Sequence, residues 1–134
     1  IACYFWQPQW WRQTVAAATT SAVSVQQFKQ MGEYCAEIPE ASVRLHCYEG
    51  IGNVTAQDAN FKADGARTLC NALPNDGARL LCLSLAANHL GIDVNVEMGV
   101  ATCEGLTGAA ETYCLRHARN QLNIANRVEL PYSI

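Results

Sequence analysis

Apolar residues recur at three- and four-residue steps through the first part of the chain: Val15, Ala18, Ala22, Val25, Phe28, Met31, Cys35 and Ile38. That spacing lays them along one face of a long helix. Pro39 ends the helix, because proline offers no backbone N–H and drives the residue before it towards extended angles. A second helix is predicted from near Ala41, with Val43, Cys47, Ile51 and Val54 on one face. Pro74, followed by Asn75-Asp76-Gly77, breaks the chain again. Residues 78–90 are apolar nearly all round, which places them at the centre of the core. Further on, Thr107 stands where a helix N-cap is needed, and Glu111 falls in the first turn, where its charge suits the helix dipole.

One stretch follows a different period. Ile92, Val94, Val96, Met98 and Val100 alternate with Asp93, Asn95, Glu97 and Gly99, which is the pattern of a half-buried strand. Helix is nevertheless the expectation here, because a lone strand has no partner for its backbone and the repeat described next calls for a helix.

The chain contains one unit three times. Its copies read C-A-E-I-P-E-A-S-V-R-L-H-C-Y-E-G-I-G-N from Cys35, C-N-A-L-P-N-D-G-A-R-L-L-C-L-S-L-A-A-N from Cys70 and C-E-G-L-T-G-A-A-E-T-Y-C-L-R-H-A-R-N from Cys103. Three residues after each first cysteine comes Ile38, Leu73 or Leu106, then a breaker: Pro39, Pro74 or Thr107-Gly108. Six residues after each second cysteine stands Asn53, Asn88 or Asn120. Successive first cysteines lie 35 and 33 residues apart, the length of a helical-hairpin repeat.

The repeat gives the cysteines a role. Of 7 cysteines, six form the pairs Cys35/Cys47, Cys70/Cys82 and Cys103/Cys114, and Cys3 is left over. Each first cysteine falls in the last turn of one helix and each second about two turns into the next, so an antiparallel pair brings them within bridging distance. Three disulfides are therefore expected, one per hairpin, in an oxidising compartment; six buried free thiols in a cytosolic protein are the alternative.

The cysteine pattern resembles two known groups. Coiled-coil–helix–coiled-coil–helix proteins of the mitochondrial intermembrane space also carry paired cysteines on helical hairpins. Their spacing is C-x9-C within single helices, against C-x11-C twice and C-x10-C once here, with a breaker inside. The segment Cys47-Tyr48-Glu49-Gly50-Ile51-Gly52 is similar to exported bacterial proteins with repeated C-Y-x-G-I-G-type segments. That resemblance implies a bacterial extracytoplasmic address, the periplasm first, and names no activity.

Residues 1–12 are unlike the rest. All 3 tryptophans, Trp6, Trp10 and Trp11, lie there, with Tyr4, Phe5 and Arg12. Indole rings with a following cation are typical of the headgroup zone at the edge of a membrane span. Tyr4, Phe5, Trp6, Trp10, Trp11 and Arg12 are the candidate docking residues, set against a membrane edge at the end of an upstream anchor or against partner subunits. Packing on the domain itself is the alternative. Ile1-Ala2-Cys3 has the small residues of a lipoprotein processing site, but processing would leave Cys3 first in the chain, so lipidation is the weaker expectation.

Composition limits the chemistry. Half of the 134 residues are hydrophobic, 16% are charged, and the formal net charge is −3. One folded domain is expected. The 9 basic residues are too dispersed to follow a phosphate backbone, so nucleic acid is not an expected partner. His46, His89 and His117 occupy different positions in the repeat, with no H-x3-H, C-x2-C or haem-attachment spacing, and no metal or other cofactor is expected. Nucleophile-elbow, phosphate-loop and dinucleotide motifs do not occur, and a cysteine nucleophile competes with the bridges. Gly50-Ile51-Gly52 lies in a helical segment and marks close helix approach. Glu33 and Glu37 form an i, i+4 pair on a solvated face. Asn53-Val54-Thr55 is a glycosylation sequon, but Asn53 is first a repeat residue.

The expected fold is therefore all-α: three disulfide-stapled helical hairpins in an array over residues 13–127, after a membrane-proximal aromatic segment (1–12) and before an extended tail (128–134). The expected function is non-enzymatic: an extracytoplasmic accessory or scaffold subunit of a membrane-associated complex, with bioenergetic complexes a natural setting. A secreted helical module for a small apolar ligand is the alternative, and a thiol-redox protein the third.

Overall fold

A computed structural model describes residues 24–122 and 129–134. Six helices follow one another: α1 (Val25–Ala36), α2 (Ala41–Asp58), α3 (Ala63–Cys70), α4 (Asp76–Asp93), α5 (Val96–Thr102) and α6 (Gly108–Ala118). No strand occurs among the described residues. The part of the predicted first helix before Ser24 lies outside them, as do residues 1–12 and Cys3.

The helix starts follow from local chemistry. The Ser24 hydroxyl accepts from the Gln27 N–H at 3.2 Å, and the Gln27 side chain accepts from the Ser24 N–H at 2.7 Å, a reciprocal capping box. Asn75 and Asn95 cap α4 and α5 by accepting from the Ala78 and Met98 N–H groups, each at 2.8 Å. Thr107 occupies the N-cap position of α6 in the extended backbone expected there, without a side-chain bond. Pro39 and Pro74 lie in the turns after α1 and α3.

The alternating stretch is a junction between two helices. Asp93 ends α4, Val94 and Asn95 turn, and Val96 opens α5. Ile92, Val94 and Val96 are 58%, 43% and 49% exposed, whereas Gly99 is buried. The two-residue period therefore comes from the end of one helix and the start of the next, and no face of a strand is involved.

The three bridges form as expected: Cys35–Cys47, Cys70–Cys82 and Cys103–Cys114, with Cα separations of 5.6, 5.5 and 5.7 Å. Each joins the two helices of one hairpin across its turn. The hairpins stack so that α1, α3 and α5 neighbour one another in one row and α2, α4 and α6 in the other. Helix α4 is central: Ala78, Leu80, Leu81, Cys82, Leu83, Ala86, Ala87 and Leu90 are all buried. One apolar cluster joins α1 to α4; a second joins Leu80 and Ala87 of α4 to Cys103, Ala110, Tyr113, Cys114 and Ala118. No described helix is long and apolar enough to cross a membrane.

The repeat asparagines link neighbouring hairpins. Asn53 Oδ1 lies 3.1 Å from His89 Nε2, and Asn88 Nδ2 donates to Asn120 Oδ1 at 3.1 Å and to the His117 carbonyl at 3.0 Å. Gly52 sits where a Cβ would come within 2.7 Å of Leu85 Cδ1, so α2 and α4 approach through it.

Two substitutions test this packing. Gly52→Leu is expected to overpack the α2–α4 contact and lower stability by about 1–3 kcal/mol in denaturant unfolding; an unchanged midpoint would place that face in solvent. Removing the central staple as Cys70→Ala/Cys82→Ala frees a loop of 12 residues, and about 3 kcal/mol is the expected loss. A loss under about 1 kcal/mol would show that packing alone sets the hairpin geometry.

Candidate docking cleft

The row α2, α4 and α6 presents a cleft of about 450 Å³ along its outer side. Leu45 and Glu49 come from α2, Leu81 from α4, and Tyr113, Arg116 and His117 from α6; Leu122, Glu129 and Leu130 close it. All three hairpins therefore contribute to one concavity. The repeat explains how. Leu81 and Tyr113 each stand one residue before their second cysteine, so the staples set both at the same depth on the row. Leu45, Leu81, Tyr113, Leu122 and Leu130 give the lining apolar surface, and Glu49, Arg116 and Glu129 give it charge.

His117 is fixed from its own helix. Its Nδ1 donates to the Tyr113 carbonyl at 2.8 Å, and its ring lies 4.6 Å from the Tyr113 ring, tilted by 41°. A carbonyl only accepts, so the proton sits on Nδ1. Burial pushes the His117 pKa below its ordinary 6.5, opposed by the bond to Tyr113. At neutral pH the ring is therefore uncharged.

The other histidines stand apart from this one. His46 Nδ1 lies 3.0 Å from Glu49 Oε1 on α2, and His89 meets Asn53. Among the described residues no group of three or more His, Cys, Asp or Glu is placed to hold a metal ion. The six bridged cysteines are 0–3% exposed. Thiol–disulfide exchange needs a thiolate to reach a sulfur, so these bridges are staples sealed in the core. The sequence-derived docking residues Tyr4, Phe5, Trp6, Trp10, Trp11 and Arg12 lie outside the described residues. Glu33 is exposed on α1, and Glu37 is exposed as the residue that caps its C-terminus.

A second groove, of about 540 Å³, lies at the C-terminal end of the array between α5 and α6. Its lining includes Val96, Val100 and Leu115 with Glu97, Glu104, Glu111 and Arg119. This end is finished in polar residues. Leu80 and Ala87 of α4 pack into the third hairpin, and the equivalent residues of α6 are Thr112 and Arg119, both exposed. Polar substitution on the outer face is how a terminal repeat keeps an array soluble. The cleft shared by three hairpins is thus the better candidate for docking.

Two positioning residues escaped the sequence reading. Arg44 Nη1 donates to the Ile38 and Pro39 carbonyls at 2.8 and 2.9 Å, and Arg79 Nε donates to the Leu73 carbonyl at 2.8 Å. Each arginine stands three residues before a second cysteine and ties the turn of its own hairpin. The recurrence of V-R-L-H-C as A-R-L-L-C carries that signal; the third copy has Glu111 there and makes no such tie.

His117 sets a pH dependence. Its folded-state pKa is depressed, so the unfolded chain takes up the proton first. Stability is expected to fall as pH drops through 6.5 and to level off below the folded value. His117→Gln should flatten that stretch of the melting temperature against pH between about 7.5 and 5; parallel curves for the two proteins would refute it. Comparisons with protein-family models, with curated proteins and with solved structures find no match.

Proposed function

We propose that this chain is a non-enzymatic accessory or scaffold subunit that works outside the cytoplasm, in the periplasm, within a larger membrane-associated assembly. The oxidising address rests on three intramolecular disulfides. The docking role rests on one observation: a single cleft lined by residues from all three hairpins. Helical-repeat arrays bind partners along such shared surfaces, because each repeat adds contacts at a fixed spacing. Buried sulfurs and an uncharged, carbonyl-bonded His117 suit a body that holds shape better than one that turns over substrate. Membrane association rests on the sequence alone, through Tyr4, Phe5, Trp6, Trp10, Trp11 and Arg12.

The reading as a module for a small apolar ligand draws on the same cleft, whose volume falls within the range of about 300–1,000 Å³ typical of ligand pockets. Glu49, Arg116 and Glu129 in its lining favour a protein surface over an apolar molecule.

The experiment is purification of the native protein in mild detergent with identification of what accompanies it, for wild type and for Trp10→Ala/Trp11→Ala. The double variant is expected to melt within about 2 °C of wild type, since substitutions away from the packed core change stability little, and to leave the membrane fraction. Unfolding would assign the tryptophans to the core. A folded variant that stays bound would move docking away from residues 4–12.

A further inference from the structure

The C-terminal residues pass back over the array. Leu130 packs against both apolar clusters and Ile134 against the first, while Glu129, Pro131, Tyr132 and Ser133 are exposed. Pro131 has no N–H to satisfy, and the chain bends at Pro131 and Tyr132 as it lies on the helices. Ser133 meets α4 at Gly77, where a Cβ would fall inside the contact radius of the Ser133 carbonyl oxygen and 3.1 Å from Ile134 Cγ2.

The repeat makes that glycine informative. The equivalent positions in the other two hairpins are Ser42 and Ala109, both with side chains and both exposed. Glycine is disfavoured in a helix. Of the three copies, only the one under the tail has lost its Cβ, and it lost it where the tail needs room. The seat is thus built into α4 rather than being a chance resting place. Leu130 also forms part of the wall of the cleft.

We propose that the α2–α4–α6 surface is a site for a short non-helical peptide and that the chain's own residues 129–134 occupy it as an internal ligand. The occupant they stand in for is a segment of a protein partner that bends at a proline and places two aliphatic side chains four positions apart on either side of that bend. Such a segment displaces the tail, fills the Leu130 and Ile134 positions and gains the adjacent cleft. Only residues 123–128 separate Leu122 from Glu129, so the tail competes at a high local concentration, and a partner must offer more contacts than the tail does. The natural occupant rests on the proposed role as a docking subunit; the peptide site does not.

The test uses the full chain and a fluorescein-labelled peptide Glu-Leu-Pro-Tyr-Ser-Ile, read by anisotropy. Leu130→Ser/Ile134→Ser in the chain empties the seat, and this variant is expected to bind the peptide at least tenfold tighter than wild type does. Adding Gly77→Ala to it should abolish binding, because the Cβ blocks the seat for any occupant. A peptide with serine at both aliphatic positions should not bind. In case the double serine variant folds poorly, Gly77→Ala alone keeps every core side chain and should speed chymotrypsin cleavage after the exposed Tyr132 severalfold. Equal binding by wild type and variant, unchanged cleavage after Tyr132, or binding indifferent to the two aliphatic residues would overturn the proposal. So would release of the tail only by exchange between two copies, seen as a concentration-dependent dimer. Peptide binding without any native complex would sink the subunit role and leave the site standing.

Discussion

The disulfide across each hairpin turn is the constraint on which the rest of the structure depends. Helices α3 and α5 have 8 and 7 residues, too short to stand in water, because the first helical turn costs more than it returns. A bridge at a Cα separation of 5.5–5.7 Å fixes the relative height of the two helices it joins. Once that height is set, position in the repeat decides what a residue meets. Isoleucine or leucine falls at the turn, a small residue such as Gly52 falls where neighbouring helices approach, and asparagine falls at the seam between hairpins. The longer helix of each pair then supplies most of the buried surface, with α4 between its two neighbours.

Much of this was legible in the sequence, because cysteine and proline are loud and the repeat is self-checking. Three pairs at nearly one spacing, each around a breaker, left little freedom in pairing. The segment 92–100 was harder. Its alternation is real, but period alone cannot separate a strand from two helix ends meeting at a turn, and only the repeat argued for helix. The arginine ties were missed for a different reason. Arg44 and Arg79 read as surface charge until the carbonyls of the preceding turn are in view. The cleft was invisible to periodicity, since Leu45, Leu81, Tyr113 and Leu130 come from four separate segments. Gly77 read simply as part of a breaker, though its lack of a side chain records the return of a tail more than fifty residues on.

Sealing the sulfurs and opening the cleft are two sides of one arrangement. The bridges sit between the rows, at 0–3% exposure, so the oxidised state is protected by the same packing that it organises. The outer side of the α2–α4–α6 row is relieved of that task and is free to carry mixed chemistry: leucines, a tilted Tyr113–His117 ring pair and charges of both signs. His117 shows the compromise. It is buried enough to lose affinity for a proton, yet it faces the side where ligands would arrive.

Because every bridge lies within a hairpin and none between hairpins, the array has a particular mechanical character. A pull along the chain meets packing and side-chain bonds at the seams, such as those between Asn53 and His89, Asn88 and Asn120, and Arg67 and the Ala101 carbonyl. Inside each hairpin it meets a covalent stop. The segments locked behind the staples span 12, 12 and 11 residues, so an unravelled chain reaches about 100 Å less than an unbridged one of the same length. Under load the molecule would lengthen in steps as hairpins part from one another, each still closed and able to restack when the tension falls.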